Sequence, residues 1–84
     1  MESPTQGNRF KTGELLAKTG ISRQVLNNYM TMELVVAVET TSTGRHLFDE
    51  HAIESIKLID RLKKDGWTLQ QIRETFGDRF RRLR

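Results

Sequence analysis

The chain has 84 residues, no cysteine and a formal net charge of +3. This length allows one domain with a modest core and leaves no room for an enclosed catalytic pocket between two lobes, so an enzyme is not expected. The lack of cysteine excludes disulfides and thiolate metal sites. No apolar run is long enough to cross a bilayer, and 1–8 does not resemble a signal peptide, so we expect a soluble, cytoplasmic protein.

The positive charge is unevenly distributed along the chain. Residues 78–84 carry four arginines and one aspartate, which accounts for the whole net charge and leaves 1–77 neutral. Within the neutral part, 18–29 and 40–48 contain basic residues and no acidic ones. A domain that contacts phosphate groups needs only such a local basic surface.

A disordered leader is predicted over 1–9, followed by a first helix over about 13–19. Thr12 has a side chain suited to capping this helix. Its predicted buried side consists of three apolar residues, Leu15, Leu16 and Ala17.

Two residues predict a tight turn between the first helix and a second one over about 23–30. Gly20 suits the left-handed conformation that ends a helix, and Ser22 is a good N-cap for the next. This order is typical of a helix-turn-helix. The second helix presents Gln24, Asn27 and Asn28, whose side chains can hydrogen-bond to base edges and phosphates.

A two-stranded hairpin is predicted over about 35–48, because a β-branched run and a second apolar pair flank a turn-forming segment ending in Gly44. Such a hairpin is marginally stable alone and must pack on the helices as a wing. Arg45 and His46 follow its tip and could lie along a phosphate backbone. Since neighbouring strand residues face opposite ways, the sequence leaves open which of the two reaches phosphate. We favour Arg45, because its charge is permanent.

Two further helices complete the predicted fold. Asp49 is expected to cap a third helix that ends near Lys64, before Gly66. Thr68 and Gln71 have the spacing of a capping box for a fourth helix, which Gly77 is expected to close. The two histidines, His46 and His51, have no cysteine partner, so we expect neither a metal site nor a cofactor.

These elements resemble the N-terminal DNA-binding domain of the MerR family of bacterial transcription regulators. The resemblance extends over about 10–76 and rests on short motifs that occur in the family's order. They are Thr12-Gly13-Glu14-Leu15, Thr19-Gly20-Ile21-Ser22-Arg23, Leu26 and Tyr29, Leu34-Val35, Gly44-Arg45-His46-Leu47-Phe48, and Leu62-Lys63-Lys64-Asp65-Gly66-Trp67-Thr68-Leu69.

The resemblance implies a mainly α fold with a small β-hairpin, a winged helix-turn-helix of four helices plus a wing, over 10–77. It implies sequence-specific binding to double-stranded DNA at an inverted-repeat promoter site, with RNA polymerase affected indirectly. A second wing would form around Gly66. The family's homodimer is made by a downstream helix that we expect to be missing here, so the chain would be either an excised module or a minimal relative. We predict that 78–84 is a basic tail or the start of a further helix.

Three departures from the family pattern bear on DNA contact. Asn27 and Asn28 replace an arginine and an aromatic residue that usually precede the recognition-helix tyrosine. Met30 and Glu33 stand where an acid and a glycine are common. His46 occupies the usual position of the wing arginine, with Arg45 one residue earlier.

The predicted DNA contacts combine the residue patterns with the resemblance. They are Thr12, Ser22, Arg23, Gln24, Asn27, Asn28, Tyr29, Arg45, His46, Lys63, Lys64 and Thr68. For Tyr29, core packing and a hydroxyl contact to phosphate both remain open. Two other functions also remain open, namely a winged-helix protein-interaction module and an architectural, excisionase-like DNA-bending protein.

Overall fold

The computed structural model describes the backbone of residues 9–81 and the side chains as far as Asp78. The elements in this part of the chain are β1 (Phe10–Lys11), α1 (Thr12–Thr19), α2 (Arg23–Thr31), β2 (Glu39–Thr40), β3 (His46–Phe48), α3 (Glu50–Lys64) and α4 (Leu69–Arg81). Apart from Arg9, the predicted leader lies outside the described residues. The mainly α, winged helix-turn-helix architecture is confirmed.

The turn between α1 and α2 forms as the sequence predicts. Gly20 adopts φ 81°, and its N–H donates to the carbonyl of Leu16 at 2.8 Å, which ends α1. The Ser22 hydroxyl accepts the N–H of Val25 at 3.1 Å and so caps α2. These two local bonds fix the angle at which α2 leaves the turn.

The start of α1 differs from the prediction in two respects. Thr12 is not the cap but the first helical residue, and Lys11 is the N-cap. The Lys11 N–H donates to the carboxylate of Glu14 at 2.9 Å, so an acid three residues later closes the first turn without a hydroxyl cap. Ala17, expected to be buried, is exposed.

The wing belongs to a three-stranded antiparallel sheet in the order β1-β3-β2. Sequence analysis did not find β1, in which Phe10 pairs with Phe48 and Lys11 pairs with Leu47. On the other side of β3, Thr40 pairs with His46. The wing is therefore joined directly to the residue that caps α1.

The predicted start of the hairpin near residue 35 was wrong, because strand pairing begins only at Glu39. The carbonyl of Tyr29 accepts the N–H groups of Leu34 and Val35 at 2.9 and 3.4 Å. This folds the chain back on the end of α2 and buries both apolar side chains completely in the core. Burial explains Leu34 and Val35, whereas Val38 at the end of the apolar run is exposed and donates its N–H to the carbonyl of Leu47 at 2.9 Å.

Most of the predicted caps and ends of α3 and α4 are confirmed. The Asp49 carboxylate accepts the His51 N–H at 3.1 Å, and Gly66 adopts φ 102° just after α3. Thr68 and Gln71 form the reciprocal capping box at 3.1 and 3.0 Å. The predicted end at Gly77 was wrong, because α4 continues through this residue to Arg81 and Gly77 does not have a positive φ.

One apolar core connects the four helices and the sheet. Its buried side chains are Leu15, Leu26, Tyr29, Leu34, Val35, Phe48, Ala52, Ile53, Ile56, Ile59 and Ile72. Trp67 packs half-buried against it, with its ring centroid 5.3 Å from that of Phe76. Within residues 9–81, every helix is too short or too polar to cross a membrane.

Candidate nucleic-acid interface

The two sides of α2 have different chemistry. Leu26 and Tyr29 face the core, whereas Gln24, Asn27 and Asn28 are exposed. The side-chain amides of these three residues make no hydrogen bond to any residue that the structure describes. Their donors and acceptors are therefore available to an external molecule.

A compact turn forms the tip of the wing. The Gly44 N–H donates to the carbonyl of Thr41 at 2.9 Å, and Gly44 has φ 86°, a conformation that favours glycine. The Thr41 hydroxyl also accepts the Arg45 N–H at 3.1 Å. These bonds hold the backbone on both sides of the tip and place the next two side chains in solvent.

Arg45 and His46 are held differently. His46 lies in β3 two residues before buried Phe48, so their side chains share a face of the sheet, and their ring centroids are 6.3 Å apart. The ring nitrogen Nδ1 of His46 also lies 3.3 Å from the Thr40 hydroxyl. Arg45 has no such restraint among the described residues, so its guanidinium has more freedom to reach a ligand.

Three segments far apart in the sequence line one groove, which we call the basic groove, of about 700 Å³. The first segment is the start of α1, the second is Arg23 at the start of α2, and the third is the wing tip. The lining residues are Lys11, Thr12, Gly13, Glu14, Arg23, Gly44, Arg45 and His46. The helix-turn-helix and the wing thus present a continuous surface.

The electrostatic balance of the basic groove is positive. Lys11, Arg23 and Arg45 supply three positively charged side chains, and none of them forms an ion pair with another described residue. The acid among the lining residues, Glu14, uses one oxygen to accept the Lys11 N–H. Unpaired cations beside the N-terminal end of a helix are an arrangement suited to anions.

Lys11 is a candidate that sequence analysis missed. The sequence did contain an indication, because a lysine at a helix N-terminus is unfavourable with respect to the helix dipole. An anion contacted by both the lysine and the helix N-terminus would account for it.

Tyr29 is 5% exposed and packs in the core through its ring. Burial raises the pKa of its phenol, and the negative charge of Asp60 raises it further. The hydroxyl therefore stays protonated and neutral at physiological pH. This placement supports α2 from behind, and the phosphate contact stays a prediction.

The predicted second-wing residues lie elsewhere, at the α3–α4 junction, and do not line the basic groove. Lys63, Lys64 and Thr68 are all exposed. The Nζ atom of Lys64 lies 3.4 Å from a carboxylate oxygen of Asp60, and the Thr68 hydroxyl oxygen already accepts the N–H of Gln71. Lys63 makes no ion pair with the residues of the described range.

Comparison with known proteins identifies the family. The model of the MerR HTH family regulatory proteins matches residues 10–78. The chain belongs to the MerR family. The matched region is the helix-turn-helix domain of a family of DNA-binding transcription regulators.

Two curated relatives illustrate this similarity. A nodulation protein NolA from Bradyrhizobium sp. (strain NC92) is 32% identical over 71 residues, which are 84% of this chain and 30% of the relative. The mercuric resistance operon regulatory protein from Bacillus cereus is 26% identical over 69 residues, which are 82% of this chain and 52% of the relative. The chain thus spans about half or less of the length of these relatives. No solved structure matches the chain.

Proposed function

We propose that this MerR domain binds double-stranded DNA sequence-specifically, with α2 in the major groove and the basic groove on the adjacent phosphates. The observation that carries the proposal is the convergence of Lys11, Arg23 and Arg45 on one groove beside the exposed face of α2. Separate helix and strand segments that share a cationic surface are suited to one sugar-phosphate backbone.

The residues divide into three groups by the contact we propose. Lys11, Thr12, Arg23, Arg45 and His46 bind phosphates from the basic groove, and Ser22 holds the start of α2 against the same backbone. Gln24, Asn27 and Asn28 contact base edges. Lys63, Lys64 and Thr68 form a second, more distant phosphate contact, and Tyr29 holds α2 in position.

The properties of a whole regulator are also proposals, and family membership supports them. We expect an inverted-repeat promoter site, on which two copies bind with the symmetry of the DNA. Pairing of the copies would depend on a downstream dimerisation helix. RNA polymerase would respond indirectly, through the shape of the bound promoter.

Salt titration of duplex binding tests the proposal. The logarithm of the affinity should fall linearly with the logarithm of salt concentration, and Arg23→Ala and Arg45→Ala should each reduce the slope by about one unit. Arg73→Ala is the matched control, since Arg73 lies on α4, outside the basic groove, 4.0 Å from Glu33. Slopes unchanged in both groove variants would refute the groove assignment, whereas failure to bind any duplex at low salt would favour a protein-interaction module.

The contribution of the wing can be measured in the same titration. His46→Arg adds a permanent charge to a position that lines the basic groove. We expect it to steepen the salt dependence by up to about one unit. An unchanged slope would show that this face of the wing does not lie on phosphate.

A further inference from the structure

We infer that the DNA half-site contacted by α2 is read mainly through adenine bases. The residues responsible are Gln24, Asn27 and Asn28, which we call the amide patch. This inference rests on the proposed DNA binding, and it adds the class of base that the exposed face of α2 selects.

The three amides form one patch because of their helical spacing. Asn27 and Asn28 lie three and four residues after Gln24, so all three occupy neighbouring positions on the same side of α2. This side is opposite the buried Leu26 and Tyr29. Gln24 lies in the first turn, the part of a recognition helix that contacts base edges in a helix-turn-helix.

The amide patch is free of internal partners. None of its side chains hydrogen-bonds to another residue in the described part of the chain. The cap that starts α2 is supplied by Ser22, whose hydroxyl accepts the Val25 N–H. The amides are therefore not needed to end or cap the helix, and each retains one acceptor and two donor hydrogens.

Amide chemistry matches adenine better than guanine in the major groove. Adenine presents the N7 acceptor beside the N6 donor, which an amide satisfies with its NH₂ group and its carbonyl oxygen. Guanine presents two adjacent acceptors, N7 and O6, so an amide carbonyl would meet an acceptor without a hydrogen. Guanine is suited to arginine, which has only donors.

No charged side chain of α2 competes with the amide patch for base contact. Arg23 is the charged residue of α2, and it lines the basic groove together with Gly44 and Arg45. Its position directs it to the phosphates beside the wing. The base-contacting surface is therefore neutral, and its selectivity depends on the amides.

Selection of bound sites from a random duplex pool at low salt tests the inference with the 84-residue chain. We expect adenine, on either strand, at two or more neighbouring positions of the recovered half-site. Replacing those adenines singly by 7-deazaadenine removes the N7 acceptor and leaves the minor groove and phosphates intact. At least one replacement should weaken binding about tenfold.

A substitution in the amide patch provides the second arm. Asn27→Arg should change the preferred base at one position from adenine to guanine. The matched control is Gln70→Arg, which adds the same charge at an exposed amide on α4 that is hydrogen-bonded to Glu74, and it should leave the recovered sequence unchanged.

The outcomes distinguish failure of the inference about adenine from failure of the proposed DNA binding. Binding with guanine at these positions, or full affinity for every 7-deazaadenine duplex, overturns the inference about adenine and leaves the proposed DNA binding intact. Equal binding to all sequences overturns the inference together with the sequence specificity of the proposed function, and leaves only non-specific DNA binding. Failure to bind any duplex refutes the proposed function itself, and the inference with it.

Discussion

Replacing Gly77 by alanine should stabilise the domain, because α4 continues through this position. An added Cβ would have the Cγ atom of Arg73 as its neighbour at 3.8 Å, an ordinary van der Waals contact. The added Cβ therefore causes no clash. The free energy of unfolding should rise by the helix preference of alanine over glycine, roughly 0.5–1 kcal/mol. For a domain of this size, the melting temperature should rise by about 2–8 °C. Thermal unfolding followed by circular dichroism measures it.

Gly20→Ala is the matched control, because it makes the same chemical change at a helix end. No atom lies within 4 Å of the added Cβ, but the backbone there has φ 81°. We therefore expect a loss of about 1 kcal/mol, caused by backbone strain alone. If Gly77→Ala lowered the melting temperature as Gly20→Ala does, Gly77 would be a left-handed helix end and the continuation of α4 to Arg81 would be wrong.

Two further predictions concern the capping box and Tyr29. Thr68→Ala should reduce the free energy of unfolding by about 1 kcal/mol in urea titrations, whereas Thr75→Ala, at an exposed position inside α4, should not reduce it; equal effects would contradict the capping role. The pKa of Tyr29 is raised in the folded protein above 10.0, so the unfolded chain loses the phenol proton first as the pH rises. The protonated Tyr29 therefore contributes fully to the free energy of unfolding below pH 10, and this contribution is lost as the pH rises through the folded pKa. Wild-type stability should therefore decline more steeply than that of Tyr29→Phe as the pH rises above 10.0, and parallel curves would refute the assignment of the raised pKa to Tyr29.

The features that sequence predicted well are those settled by a few neighbouring residues. Ser22 caps α2 and Thr68 caps α4 because each hydroxyl accepts an N–H only three residues away. Gly20 ends α1 because left-handed backbone geometry favours glycine wherever it occurs. Such local preferences do not depend on the tertiary structure, so the order of the helices could be predicted from the sequence alone.

The features that sequence did not predict depend on partners far along the chain. Lys11 belongs to a two-residue strand that exists only because Phe10 pairs with Phe48, and that pairing brings Lys11 to the basic groove. Val35 is β-branched and so favours a strand, but its N–H bonds to the carbonyl of Tyr29 and its side chain is buried in the core. A glycine such as Gly77 fits both a helix end and a helix interior, and packing decides between them.

The candidate site was predictable in composition and less so in arrangement. The exposure of Gln24, Asn27 and Asn28 followed from the position of Leu26 and Tyr29 on the opposite side of the helix. The meeting of Arg23 with the wing tip required the sheet and the turn together. The DNA contacts themselves remain predictions for the experiments above.

The strand pair that joins Phe10 to Phe48 has a mechanical consequence for evolution and for engineering. Because this strand pair connects the wing to the start of α1, we expect a mutation that shifts β3 to shift the start of α1 as well. Changing the DNA sequence that this protein selects is therefore simpler through the amide patch, because its replacement leaves the strand pair between the wing and β1 unchanged.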